Sequence, residues 1–374
     1  MLAPNDLVSI AERVFAKPRP EAAARADKCE IGRVRAATSS SWRLLHQETP
    51  PLLPATAPLF GGAPPLPERQ ITFSRVWTAR NVRLAGRRAL VAEDGALFLA
   101  GPVRTEADLT RVASACADGS EGLILRTQGP LEAQMLGPLS SGARRLSGIG
   151  LHLGVAESEQ NRPFLLDQFA SLLLIAELRP RLDYVLLASP VPELAALLDE
   201  LGMGALKIFE LDQLRGVVCA ELLVPVIDRD PAGWVDSATI SRLRAFAAGR
   251  HAKLGPGIHT EPTKIFLTDV DGADRPVTRA AAERGYQLRG LSGTGLINQA
   301  LMMAKASFVA TDQAEAVTTT LFAASTVPVL DLAGGDPPAR LPLLAGAGRA
   351  YALGDPEHPE EALARFGGQD QQAA

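Results

Sequence analysis

Apolar residues recur along this chain in two rhythms. Leu7, Ile10, Ala11, Val14 and Phe15 fall on one face at helical spacing, with Asn5 placed to cap them, and predict a short amphipathic helix over 5–16 that ends before Pro18 and Pro20. Residues 48–69 carry Pro50, Pro51, Pro54, Pro58, Pro64, Pro65 and Pro67, plus Gly61 and Gly62. That excludes both a helix and a central strand, and predicts a linker. Residues 70–101 hold short apolar runs broken by turns at Ala85-Gly86 and Asp94-Gly95, the pattern of an antiparallel meander.

From residue 105 onward, apolar runs of strand length alternate with helical patterns. Strands are predicted at 122–127, 148–155, 184–189, 205–211, 217–226, 264–269, 286–291, 307–312 and 327–332. Helices are predicted at 105–117, 163–178, 191–201, 237–251, 275–284, 298–306 and 313–325. Strands apolar on both faces and separated by helices mean parallel sheets covered on both sides. The alternation spans 105–332, which predicts an α/β chain with two Rossmann-like lobes and a β-rich N-terminal extension. After Gly354 the chain turns polar and is expected to fray, with at most a short helix at Glu360–Phe366.

Composition narrows the function classes. The 374 residues carry a net charge of −4 with no block of Lys and Arg, which argues against nucleic acid as a partner. Cys29, Cys116 and Cys219 are odd in number and form no C-x-x-C, so free, reduced thiols in a cytoplasmic protein are expected. The N-terminus lacks the basic start and apolar run of a signal peptide, and the apolar stretch Phe164–Leu178 is interrupted by Asp167, Gln168 and Glu177. It falls short of the roughly 20 residues that a membrane span requires.

Several catalytic signatures are missing. No G-x-G-x-x-G follows a strand, and neither a Walker A loop nor a G-x-S-x-G elbow occurs. GLSGTG (290–295) precedes a helix that could offer its amides to a phosphate, but a plain loop is the favoured reading. His46, His152, His251, His259 and His358 form no metal-binding pair. His152 closes a predicted strand, where α/β sheets place ligand contacts. Asp269-Val-Asp271 resembles a cation-holding D-x-D, but Asp and Gly at a strand end also make turns for local reasons, so no metal site is assigned. Asp228-Arg229-Asp230 is a weaker signal of the same kind.

The order of segments in the C-terminal half resembles the bacterial, capsular-polysaccharide branch of glycosyltransferase family 61. That family has a strand of the type K-I-Y-I-S-R followed by a second Arg, a helix beginning E-Q, a strand, a loop-helix H-G-A-G-L-T-N-x-x-F-A, and a strand ending in E-L. Here KIFLTD (264–269) takes the first slot and Arg275 that of the second Arg. NQALMMAKA (298–306) follows, then TDQAEAVTTTLFA (311–323) in register through Leu321-Phe322-Ala323, and VLDL (329–332). NRPFLLDQFASLLLIAELRP (161–180) is similar to the family's upstream helix, and 76–101 to its N-terminal strands. The likeness spans about 70–331.

The departures fall on chemistry. Gln313 stands at the family's His, Ala314-Glu315-Ala316 at its Gly-Ala-Gly, Asp269 at an Arg, Pro163-Phe164 at His-Trp, and Thr319 at an Asn. Without the glycines, the helix after 312 is expected to begin at or before Ala314.

The resemblance implies two lobes of the glycosyltransferase-B kind. They comprise a β segment and first lobe at 70–230 and a nucleotide-sugar-binding lobe at 231–352, flanked by 1–69 and by a tail at 353–374. It implies transfer of a sugar, with inversion and without a metal or other cofactor, from a nucleotide-sugar donor to a glycan acceptor such as a surface polysaccharide. The setting would be cytoplasmic, in peripheral association with membrane-bound polysaccharide machinery. Lys264, Arg275, Gln299, Gln313 and Asp331 would hold the donor, and Asp167 or Glu315 would serve as base. Two other readings stay open: a catalytically degenerate member that binds a glycan or a partner protein, and an unrelated nucleotide-binding α/β protein.

Overall fold

The computed structural model describes residues 29–35, 42–48, 59, 74–85, 89–98, 124–129, 132–137, 144–154, 164–187, 193–211, 214, 216–227, 235–254, 263–269, 275–334, 340, 344 and 347–367. The expected helices at 5–16 and 105–117, and the proline-rich stretch apart from Glu48 and Leu59, lie outside the described residues.

In chain order the first strands are β1 (Cys29–Arg35), β2 (Arg43–Gln47), β3 (Ser74–Leu84), β4 (Leu90–Val91), β5 (Leu97–Phe98), β6 (Ile124–Gly129) and β7 (Glu132–Gly137). Then come β8 (Arg145–His152), α1 (Ala170–Leu178, preceded by a π-helical turn Phe164–Phe169), β9 (Tyr184–Leu187), α2 (Leu194–Glu200), β10 (Lys207–Glu210) and β11 (Val218–Ile227). The C-terminal part holds α3 (Ser237–Lys253), β12 (Thr263–Leu267), α4 (Pro276–Glu283), β13 (Gln287–Arg289), α5 (Leu296–Ala304), β14 (Ala306–Thr311), α6 (Ala316–Thr319), β15 (Val329–Asp331), β16 (Tyr351–Leu353) and α7 (Pro359–Gly367).

Among the described residues the strands form three sheets. The expected meander exists as β3, β4 and β5, which pair antiparallel and join the sheet β10-β9-β8-β11-β3-β4-β5. Within it β10, β9, β8 and β11 run parallel, and β2 adds to β3. The run at 122–127 was expected to join the parallel alternation. Its strand, β6, instead forms a hairpin with β7, and β1 completes a separate three-stranded antiparallel sheet. The third sheet, β13-β12-β14-β15-β16, is parallel throughout.

Alternation along β12 explains the layering of this third sheet. Ile265 and Leu267 face α1, α3 and α5 in one apolar cluster, whereas Phe266 faces α4 and α7 in another. Both faces are covered, as continuous apolar strands require. The short helix expected at Glu360–Phe366 is present as α7, packed rather than frayed, and β16 just before the tail was not among the expected strands. β16 is the fifth strand of the sheet, and α7 buries Leu363 and Phe366 against Phe266 and Leu330.

Helix α1 is shared between cores. Leu165, Leu166, Phe169 and Leu173 pack with α3, α5 and β12, while Leu172, Leu174 and Ile175 pack with β8, β9 and β11. Asp236 caps α3 by accepting from the Thr239 amide at 2.8 Å, and Ser74 Oγ of β3 donates to the same carboxylate at 3.3 Å. Cys219 is a buried free thiol, pushed up to about 11 by burial, which leaves it unreactive. Among the described residues no helix is long and apolar enough to cross a membrane.

Candidate functional site

In the third sheet β12 comes first in the chain, β13 pairs on one side of it and β14 on the other. The connections therefore diverge between β12 and β14. Open α/β sheets place their ligand crevice at the carboxyl end of such a strand pair. Leu267 stands opposite Thr311, so Thr268 and Asp312 emerge side by side at that edge.

Four side chains meet there. Arg275, the residue before α4, directs Nη2 to Asp312 Oδ2 at 2.6 Å and donates to Thr268 Oγ1. Thr268 Oγ1 donates in turn to Asp312 Oδ2 at 3.2 Å, and Gln313 Nε2 donates to Asp312 Oδ1 at 3.3 Å. Thr311 anchors the turn, donating to the Leu267 carbonyl at 3.1 Å and accepting from the Gln313 amide at 3.0 Å. Asp312 is nearly covered, at 8% side-chain exposure, while Arg275 keeps 43%. The cluster thus presents a guanidinium whose charge an internal carboxylate offsets.

A second carboxylate occupies the GLSGTG segment. Glu193, in the connection from β9 to α2, accepts from the Leu296 amide at 2.6 Å in the first turn of α5. Gly295 makes room for it: a Cβ there would land on the Glu193 carboxylate. The position weighed for a phosphate, in a segment read first as a plain loop, is therefore held by an anion of the chain itself, placed where the helix dipole favours one. Glu193→Ala is expected to cost about 1 kcal/mol, the scale of a lost N-terminal cap. Gly295→Ala, by pushing the carboxylate aside, should cost a similar amount, and the double variant no more than either single. Urea unfolding of the three variants checks this; fully additive losses would show that Glu193 and Gly295 act separately.

The other expected site residues scatter. Lys264 sits near the start of β12, away from the carboxyl edge. Its ammonium lies 5.4 Å from the Phe308 ring centroid and 5.9 Å from that of Tyr286, a cation–π position. Gln299, 2% exposed, donates to the Thr294 carbonyl at 2.7 Å and accepts from Thr319 Oγ1 at 3.1 Å, so it braces α5 against α6. Asp331 lies at the carboxyl end of β15 but is buried against Arg340, 2.7 Å away, and accepts from the Ala333 amide. Burial pushes its carboxyl up while Arg340 pulls the other way. These three make contacts within the chain, and none of them joins the cluster at Arg275.

Glu315 is exposed at the start of α6. That helix begins at Ala316 rather than at or before Ala314, and only a 3-10 turn at Thr320–Phe322 extends it. The run Val317-Thr318-Thr319-Thr320 is β-branched, and Thr320 Oγ1 bonds back to the Val317 carbonyl at 2.6 Å; both shorten a helix. Asp167 belongs to the turn leading into α1, and its side chain lies outside the described residues. His152, at the end of β8, is buried. Asp269 is exposed, Asp271 lies outside the described residues, and no group of three or more His, Cys, Asp or Glu converges among the described residues.

The structure thus joins Arg275 and Gln313 of the expected set and adds Asp312 and Thr268, with Glu193 at the separate position before α5. A signal for two of these was present: KIFLTD and SFVATD both end in Thr-Asp, and adjacent parallel strands bring such ends together. Models of known protein families give no match to the chain, and a search of curated proteins finds no relative.

Proposed function

We propose that the protein binds a nucleotide-sugar donor at the carboxyl edge of β12 and β14 and transfers the sugar to a glycan acceptor, its two large sheets forming lobes of the glycosyltransferase-B kind. One observation supports the binding half most directly. The strand pair where the connections diverge carries a part-exposed Arg275, and a guanidinium there suits a diphosphate. The transfer half follows from the resemblance of segment order. In this reading a donor phosphate takes over part of the contact that Asp312 makes with Arg275, and Thr268 keeps the guanidinium aimed. The leaving diphosphate is then held by a cation and backbone amides without an obligatory metal. Asp167 or Glu315 accepts the acceptor's proton as the bond forms.

A second reading, binding without transfer, draws support from Gln299 and Asp331, which are spent on internal bonds. Calorimetric titration with nucleoside diphosphates and nucleotide sugars tests the site, and sugar release in the presence of acceptor glycans separates the two readings. Arg275→Ala is expected to weaken binding by about 1.5–3 kcal/mol. Asp312→Asn, which removes the competing charge, should strengthen it. Unchanged affinity in a folded Arg275→Ala variant would remove this edge from consideration.

A further inference from the structure

Strand β3 is paired along one edge by β11, and two strands share its other edge. β2 stands opposite Arg75–Thr78 and β4 opposite Arg83–Leu84, so among the described residues no strand faces 79–82 there. A cavity of about 560 Å³ opens at this gap. Its size falls within the roughly 300–1,000 Å³ of small-molecule sites. Thr78, Ala79 and Ala92 form its buried part, and Arg43, Arg80, Glu93, Asp94 and Glu221 its rim.

The walls are fixed to one another. Trp42 Nε1 donates to the Ala96 carbonyl at 3.2 Å, which ties the start of β2 to the hairpin turn between β4 and β5. In that turn Asp94 Oδ1 accepts from the Ala96 amide at 3.0 Å. Asn81 Nδ2 donates to a Glu93 carboxylate oxygen at 2.6 Å, and Asn81 itself is held in the left-handed region at a φ of 52°. A residue other than glycine is uncommon there, and such backbone gathers at ligand sites. Glu221 of β11 stands opposite Arg80, its carboxylate 3.8 Å from Arg80 Nε and 3.5 Å from Thr78 Oγ1. Arg145, which opens β8, donates to Asn81 Oδ1 at 2.5 Å. The cavity thus adjoins the amino end of the parallel strands, apart from the carboxyl-edge site at Arg275 in the third sheet.

The chemistry of the lining selects the occupant. It carries two guanidinium groups and three carboxylates, with no ring and no apolar side chain larger than alanine. A nucleobase or a lipid chain would find nothing to stack on or pack against. A simple anion meets the three carboxylates, and a simple cation meets the two guanidinium groups. A ligand that carries both signs satisfies both, and the one carboxylate in excess favours a ligand of net positive charge.

We propose that this cavity binds a free basic α-amino acid of the lysine or arginine kind, its carboxylate on Arg43 and Arg80 and its two cationic groups among Glu93, Asp94 and Glu221. Calorimetric titration of the whole chain with L-lysine tests it. L-glutamate, which reverses the net charge, and cadaverine, which lacks the carboxylate, are the comparisons. Lysine should bind saturably and each comparison at least about tenfold more weakly, the scale of one charge-assisted contact. Arg43→Ala should weaken lysine by a similar factor, and so should Glu221→Gln, a second variant of nearly unchanged size, with circular dichroism confirming that each is folded. No saturable lysine binding, equal binding of glutamate or cadaverine, or unchanged lysine affinity in either folded variant would each overturn the proposal.

Discussion

Arg340→Met is expected to destabilise the protein by about 3–5 kcal/mol, because it leaves the Asp331 carboxylate buried and unpaired. Arg340 Nε meets Asp331 Oδ2, and its remaining nitrogens reach the carbonyls of Ala333 and Gly334, so one side chain closes the whole turn after β15. Asp331→Leu combined with Arg340→Met should recover most of the loss, since an apolar pair of similar volume removes the stranded charge. Urea unfolding of both variants checks this. If the single variant costs under about 1 kcal/mol, the pair behaves as an exposed one does. A functional consequence goes with it: a carboxylate locked in this way is not expected to contact a sugar, so nucleotide affinity should be unchanged in the double variant.

Phe169→Ala is expected to cost about 3–5 kcal/mol. The ring is fully buried where the π-helical turn meets α1, 5.0 Å and edge-on from Phe246 of α3, and 6.2 Å from Phe322. Its removal leaves a cavity among three elements and forfeits the edge-to-face contact. Phe308→Ala is the informative control. That ring also meets another edge-on, Phe366 at 5.7 Å, yet it is only half-buried, so the loss there should be clearly smaller. Denaturation midpoints at unchanged slope decide between a local cavity and a wider loosening.

β12, β14 and β15 were legible because burial on both faces writes them as apolar runs: KIFL, SFVAT and VLD need no alternation to be recognised, whereas the three-residue β16 was not expected. β6 was legible as a strand but not as to its sheet. Its hairpin partner EAQMLG carries little β pattern, and β1 pairs with that partner from about a hundred residues upstream. α6 was overextended because apolar spacing continues past Thr320, whereas its β-branched run stops the helix. At the site, Gln313 could be found because it follows a strand end, and Arg275 through the family resemblance in segment order. Lys264 lies near the start of its strand, at the edge of the sheet away from Arg275. Glu193 could not be found by spacing, since 103 positions separate it from the amide it caps.

Helix α1 gives no seam along which the chain could be cut. Leu165, Leu166, Phe169 and Leu173 belong to one core, and Leu172, Leu174 and Ile175 to the other, so a fragment ending near residue 230 would expose the first set and one starting there would lack it. Neither half is an exchangeable module. A chimera that swapped the C-terminal sheet for another would have to carry this helix, or its apolar stripe, across the junction. The same stripe restrains motion. The two sheets cannot swing widely apart without drawing leucines into water, so access to the edge at Arg275 is expected to depend on small shifts in the strand-end connections rather than on a hinge.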